Sequence, residues 1–284
     1  MKNKFLPIIS ILILLFGVYI VFETIFVQKI YHNPAKQLYE QENSSKEIFR
    51  NRRQHTRRKC QSEVFPILNH FKHILVDQKR KIIFCVVPKV ACTNWKRILI
   101  SLETGEELFN IRNPHSYNFN YLSNTSDSKS NYTKILFVRH PFERLVSAFE
   151  NKIHKPFSDY FRTRLLKEGM KNLSFAAFVD FILSKKPQDL NEHWAPQNLL
   201  CLPCHMDYDF IGKYENIARD SDFILQNILK TDLRLPQIKS QSPIGRTAIL
   251  TPQYMSNLSQ EAQKNLFELY KKDFELFDYS LQRP

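Results

Sequence analysis

Two short apolar runs, each leading into a basic, polar turn and then a helical pattern, constrain this chain more than any other feature. The first is Ile82-Ile83-Phe84-Cys85-Val86-Val87, followed by Pro88-Lys89-Val90-Ala91-Cys92-Thr93-Asn94-Trp95-Lys96-Arg97. The second is Ile135-Leu136-Phe137-Val138, followed by Arg139-His140-Pro141-Phe142-Glu143-Arg144-Leu145-Val146-Ser147. An apolar strand that ends in a cationic loop and continues as a helix sets free backbone N–H groups and a side-chain cation where a phosphate can sit. Two such units point to one ligand with phosphates at both ends.

The flanking pattern extends this to a fold. His73 to Val76 reads as a strand, Asp77 to Arg80 as a turn and Lys81 to Val87 as a second strand, giving a hairpin ahead of the first loop. Apolar spacing predicts helices over Asn94 to Leu102, Phe175 to Leu183, Asp220 to Leu229 and Ser259 to Phe274, with another running from the second loop through Phe149. Strands alternating with helices imply an α/β domain with a mainly parallel sheet flanked by helices. With 43% hydrophobic residues in 284, a large core is available. The formal charge of +13 fits an acidic partner: a nucleotide, an anionic polysaccharide, nucleic acid or a membrane surface.

The N-terminus narrows that choice. Residues 1–5 read as a short basic tail, and 6–27 as a transmembrane signal-anchor whose bulky flank lacks a small-residue cleavage pattern. Lys2 and Lys4 orient it with the rest of the chain facing a lumen. Residues 28–70 read as a polar stem, and 71–284 as the folded domain. The basic run Arg50 to Lys59 is either a solvated tether or a docking strip for a polyanion. Sequons at Asn43, Asn124, Asn131, Asn172 and Asn257 agree with a secretory route, which makes nucleic acid an improbable partner. Five cysteines are compatible with one or two disulfides, and Cys85, in its apolar strand, reads as a small buried hydrophobe.

The two loop motifs, together with Asn191-Glu192-His193-Trp194 and Leu200-Cys201-Leu202-Pro203-Cys204 leading to Tyr208-Asp209-Phe210-Ile211-Gly212-Lys213-Tyr214-Glu215, resemble the Golgi carbohydrate sulfotransferases of the chondroitin 4-O, dermatan 4-O and HNK-1 group over about residues 70 to 280. The resemblance implies a P-loop-like sulfotransferase fold behind a single-pass type II Golgi anchor. It also implies 3′-phosphoadenosine 5′-phosphosulfate (PAPS) as sulfuryl donor and an anionic glycan or proteoglycan as acceptor, with no metal.

On that resemblance Lys89 neutralises charge on the bridging oxygen as the S–O bond breaks, while Pro88, Val90, Ala91, Cys92, Thr93 and Asn94 form the 5′-phosphosulfate loop. Arg139 and Ser147 match the 3′-phosphate site, within the segment His140, Pro141, Phe142, Glu143, Arg144, Leu145 and Val146. Arg144 either contacts the donor or pairs with a nearby carboxylate. His115, between the two loops, is the preferred base for the attacking sugar hydroxyl, and His193 is the second candidate. His140 stands where many relatives carry an acidic residue, so no essential chemistry is attached to it. The resemblance treats Cys201 and Cys204 as structural, in disulfides with Cys60 or Cys92. It favours a chondroitin or dermatan 4-O acceptor, leaving an HNK-1-type or N-acetylgalactosamine acceptor, or a noncatalytic glycan-binding protein, as alternatives. Two competing readings are weak. The Walker pattern G-x-x-x-x-G-K-[ST] is absent and no glycine lies in the first loop, and Cys201-Leu202-Pro203-Cys204-His205 is a lone C-x-x-C-H without other support for haem or zinc.

Overall fold

The computed structural model describes residues 17, 19, 20, 34–62, 71–123, 131–236 and 246–281. They belong to two compact units, Met1–Glu47 and Ile48–Pro284. What is described of the first is mainly the opening of helix α1 (Pro34–Gln61), where Lys46 pairs with Glu42 one turn earlier at 2.7 Å. The expected single-pass type II membrane anchor is corrected: among the described residues no helix is long and apolar enough to cross a membrane. The tail 1–5 and the span 6–27, apart from Gly17, Tyr19 and Ile20, lie outside the described residues, as does the sequon at Asn124.

The second unit is built on a four-stranded sheet of order β1 (Ile74–Asp77), β2 (Ile82–Cys85), β3 (Thr133–Val138) and β4 (Phe210–Lys213). Strands β1 and β2 form the predicted hairpin, antiparallel with Leu75 opposite Phe84; the β2–β3 and β3–β4 pairings are parallel. The sheet is therefore mixed, with parallel pairing on the side that carries both loops. Strand β2 is buried at every position, which explains its continuous apolar run. Gly212 of β4 lies opposite Phe137, whose ring fills the space a side chain there would need. That ring packs with Phe84 and Trp95, the latter at 4.8 Å between centroids, so Trp95 sits in the core behind the first loop.

Helix α2 (Cys92–Thr104) follows β2 and α3 (Pro141–Phe149) follows β3, the latter continuing as a π-helical turn, Glu150–His154. Then come α4 (Tyr160–Lys167), α5 (Phe175–Leu183), capped by the Ser174 side chain, and the short α6 (Gln197–Cys201) and α7 (Pro203–Met206). After β4 follow α8 (Ile217–Phe223), α9 (Arg246–Ser256) and α10 (Gln260–Leu276), capped by Ser259. The predicted helix over Asp220 to Leu229 is α8 running into a second π-helical turn, Ile224–Ile228.

The polar segment expected as a stem is helical from Pro34 to Gln61, and from Ile48 onward it belongs to the same unit as the sheet. Phe49, buried, meets Phe210 and Phe223 at 5.4 and 5.2 Å. Arg52 pairs with buried Asp220 at 2.5 Å, Arg53 with Asp209 at 2.7 Å, and Arg57 with Asp207 at 2.5 Å. Those three members of the basic run are thus engaged within the chain. The helix escapes a reading by apolar period because a single aromatic and a row of arginines dock it.

Two disulfides join distant segments: Cys60 with Cys204, and Cys85 with Cys201. The second corrects the reading of Cys85 as a plain hydrophobe. It is buried, but strand β2 runs beside the end of α6 and brings its sulfur to Cys201. Cys92 remains a free thiol.

Candidate functional site

The first loop is tight without glycine. Lys89 and Ala91 both adopt left-handed backbone, at φ 70° and 54°, a conformation that costs an L-residue roughly 1–2 kcal/mol. Such strain persists where the surroundings fix it, and it marks functional turns. Val90 N–H donates to Val87 O, and the N–H groups of Asn94 and Trp95 both donate to Ala91 O, at 2.9 and 3.0 Å. Helix α2 therefore starts at Cys92, and the first N–H groups of the helix, on Cys92 and Thr93, have no intrahelical acceptor. Those donors and the helix dipole favour an anion here.

A cavity of about 690 Å³ opens at this loop. Pro88, Lys89, Ala91, Cys92, Thr93 and Asn94 line it from the first loop, and Arg139 and Ser147 from the second. The two predicted clamps thus face one space. The Arg139 guanidinium is held by Lys89 O at 3.2 Å and by the Thr247 hydroxyl, and stacks 4.1 Å from the centre of the Tyr214 ring. Its Nε–H, buried, has no partner among the described residues. Asn94 turns partly away, donating to Pro236 O at 3.2 Å.

Other residues of the predicted segments do not line the cavity. Val90, Phe142, Leu145 and Val146 are core, and Pro141 opens helix α3. His140 is buried on the other side of the strand end, with its N–H on Glu215 at 2.7 Å and its ring edge-on to Phe274 and Tyr279. Glu143 is buried 3.7 Å from Arg139. Arg144, only 1% exposed, neither reaches the cavity nor forms a carboxylate pair of the kind expected. It donates to three carbonyls: Pro88 O at 2.9 Å, Ala195 O at 2.6 Å and Glu192 O at 2.6 Å. Arg144 thereby ties the first loop to the Asn191–Ala195 segment, whose His193 lines the same cavity as Lys89.

Both candidate histidines line this cavity. His115 Nε2 lies 3.0 Å from the Thr93 hydroxyl. His193 is fixed more completely. Asn191 Oδ1 accepts the His193 backbone N–H at 3.1 Å, which establishes that atom as the oxygen, and Nδ1 of the ring lies 2.7 Å from it. Nδ1 therefore carries the proton and Nε2 keeps a lone pair. Burial, then Lys152 and Lys89, press the His193 imidazole down to about 3, so it is neutral. Burial, then Lys96 and Lys152, lower His115 as well. Burial first, with Lys152 next, brings the Lys89 ammonium from 10.5 down to about 8, and its Nζ donates to Asn151 Oδ1 at 2.9 Å.

Several lining residues had no motif to reveal them: Lys72, His73, Tyr121, Asn151 and Lys152; Lys96 and Tyr214 lie inside quoted motifs but were given no role. Glu192, inside a quoted motif but given no role, sits 3.5 Å from both Lys72 Nζ and His73 Nε2. Burial lowers His73 to about 4 against the pull of that carboxylate. Chemically, the cavity offers cations, backbone donors, a neutral imidazole, a carboxylate and a tyrosine ring. Among the described residues no group of three or more His, Cys, Asp or Glu is arranged to hold a metal ion.

Residues 72–280 match the model of the sulfotransferase family. The chain is similar to carbohydrate sulfotransferase 11 of Mus musculus, 33% identical over 243 residues that cover 75% of this chain and 68% of that protein. It is similar also to carbohydrate sulfotransferase 8 of Homo sapiens, 33% identical over 74% of this chain and 56% of that protein. Carbohydrate sulfotransferase 14 of Danio rerio is 30% identical over 74% of this chain and 63% of its own length. No solved structure matches. The chain belongs to the sulfotransferase family and is a sulfotransferase, as its motifs led one to expect.

Proposed function

We propose that the chain transfers a sulfuryl group from PAPS to a hydroxyl of an anionic glycan, with a chondroitin or dermatan 4-O acceptor favoured. The observation that carries this reading is the convergence of Lys89 and Arg139, from the ends of two parallel strands, on one cavity that also holds a neutral His193. Its volume of about 690 Å³ lies within the ~300–1,000 Å³ usual for ligand sites. The names of the relatives support a carbohydrate acceptor, and the donor is the one the family uses.

In this scheme the 5′-phosphosulfate lies along the first loop, under Lys89 and the first N–H groups of α2, and the 3′-phosphate near Arg139 and Ser147. The acceptor oxygen attacks sulfur in line with the bond to the bridging phosphate oxygen. The new S–O bond forms as the old one breaks, and the electron pair leaves on the nucleotide. Lys89 neutralises the charge that appears there. The hydroxyl proton passes to a histidine, and the fixed lone pair on His193 Nε2 makes it the better placed of the two. A loose transition state releases that proton late, so a weak base suffices. The donor's own negative charge also opposes Lys152 and Lys89, and brings the imidazole back toward its ordinary range. Glu192 and Tyr121 line the part of the cavity where a sugar would lie, the carboxylate to accept hydroxyls and the ring to meet a pyranose face.

The test is sulfate transfer from labelled PAPS to desulfated chondroitin, dermatan and HNK-1 precursor glycans, paired with calorimetry using 3′-phosphoadenosine 5′-phosphate. Transfer to chondroitin or dermatan is expected. Lys89→Ala should lose at least about 100-fold in kcat with unchanged melting behaviour. No affinity for the nucleotide, or a Lys89→Ala protein as active as wild type, overturns the reading.

A further inference from the structure

The lysine of the first loop does not stand alone. Its ammonium is met by a side chain from a different element, and that element has an unusual backbone. Helix α3 gives way after Phe149 to the π-helical turn Glu150–His154, closed by the bond from Lys155 N–H to Glu150 O at 2.9 Å, five residues apart. π-turns are rare and concentrate at functional sites, because the extra residue re-aims the side chains around them. Here the neighbours Asn151 and Lys152 both line the cavity, on the side already occupied by Ser147. In a regular helix adjacent side chains diverge by about 100°, so two of them rarely serve one pocket.

The turn is fixed from several directions. Ile153 is buried in the core, and Arg162 donates to Ile153 O at 2.7 Å and to His154 O at 2.8 Å. The Tyr254 hydroxyl of α9 donates to Glu150, and Lys152 Nζ sits 4.8 Å from the centre of the Phe161 ring. Asn151 itself is exposed, and its Oδ1 accepts from Lys89 Nζ at 2.9 Å.

We propose that Asn151 is a positioning residue for sulfuryl transfer, its amide oxygen holding the Lys89 ammonium in the cavity from the rigid π-helical turn, with Lys152 beside it as a second cation for the anionic donor. The inference rests on the sulfotransfer reading and adds the group that aims its principal cation. Lys89 projects from a strained, glycine-free loop on a long flexible side chain with cations around it. Without an acceptor facing it, repulsion from Lys152, Arg139 and Arg144 would swing it out toward solvent. An amide oxygen supplies orientation without neutralising the charge that the leaving group needs.

The experiment compares the full-length wild type with Asn151→Ala and Asn151→Asp. Two readouts are used: steady-state transfer across pH, and titration of the Lys89 ε-carbon by NMR in 13C-lysine protein. Around Lys89 the charged and titratable groups are Lys152 from the turn, Arg139 and Arg144 from the second strand-loop unit, Cys92 from its own loop, and His193 from the facing segment. In Asn151→Ala, kcat is expected to fall about 10- to 100-fold while affinity for 3′-phosphoadenosine 5′-phosphate stays as in wild type. In Asn151→Asp the new carboxylate favours the ammonium, so both the Lys89 titration and the alkaline limb of the rate profile should move up by about one pH unit or more. A merely structural role would move neither. Wild-type kcat in Asn151→Ala, or an unmoved Lys89 titration in Asn151→Asp, overturns the proposal. An NMR shift in a chain that transfers no sulfate upholds the Asn151–Lys89 pairing and instead removes the enzymatic reading.

Discussion

At the scale of single residues, Lys89 and Arg139 were legible because each closes an apolar strand, and a cation at that place has a chemical meaning. Asn151, Lys152 and His73 were not, since nothing in their neighbours distinguishes them from surface or core residues until the fold brings them together. Arg144 was placed near the site but misread, because its partners are main-chain carbonyls, which a sequence does not display. The charges have a measurable consequence. On the proposed mechanism Lys89 acts as a cation, and in the free enzyme its ammonium is depressed to about 8, so kcat/KM for PAPS should be full below that value and fall as pH rises through it. In the free enzyme His193 is held down to about 3, so, if it is the base as proposed, its protonation should produce no loss of kcat/KM for PAPS between about pH 6 and 7, where an ordinary histidine titrates. A kcat/KM profile with an acid limb near 6.5 that vanishes in His193→Gln would contradict this assignment of charge.

At the scale of elements, the strand-loop-helix units and helix α5 were readable from period alone, α5 to the residue: Phe175 to Leu183 was predicted and is found. Helix α1 was not, because what docks it is polar. Its Arg52 reaches Ile211 O at 3.0 Å and the carboxylate of Asp220, which is 1% exposed and is met also by Lys213 N–H at 2.9 Å and by Arg219. Removing Arg52 strands part of that buried charge, while the two remaining partners limit the loss. Arg52→Ala should therefore lower unfolding free energy by about 1–3 kcal/mol, read from urea unfolding. Arg52→Lys should recover part of it, since both bonds leave a single nitrogen, Nη1, and an ammonium carries enough donors for both on a shorter side chain. No change in Arg52→Ala would mean that the Arg52–Asp220 pair adds nothing to the docking of the helix, which its other contacts then carry. Strand β4 was likewise missed, its four residues being too few and too mixed to show a period.

At the scale of the whole molecule, Cys201 and Cys204 are each joined to a segment more than a hundred residues away in sequence, the separations being 116 and 144. Crosslinks closing such long loops typically add about 2–4 kcal/mol each, mainly by restricting the unfolded chain. Reduction under native conditions should lower the melting temperature by on the order of 10 °C, as measured by calorimetry with and without a thiol reductant. A melting curve indifferent to reductant would show that the four sulfurs are not paired in solution. The odd thiol, Cys92, lies in the cavity wall. The cysteine count was compatible with one or two bridges, while the pairing itself depends on which loops the sheet brings side by side.

The tie from Cys60 to Cys204 governs how the protein should be shortened for expression. A truncation at the apparent start of the globular part, near residue 71, discards one sulfur of a covalent bond and strips Phe210 and Asp220 of what covers them. The orphaned Cys204 would then be open to scrambling with Cys92 or to dimer formation. A truncated version intended for glycan-array or crystallisation work has to begin ahead of Ile48.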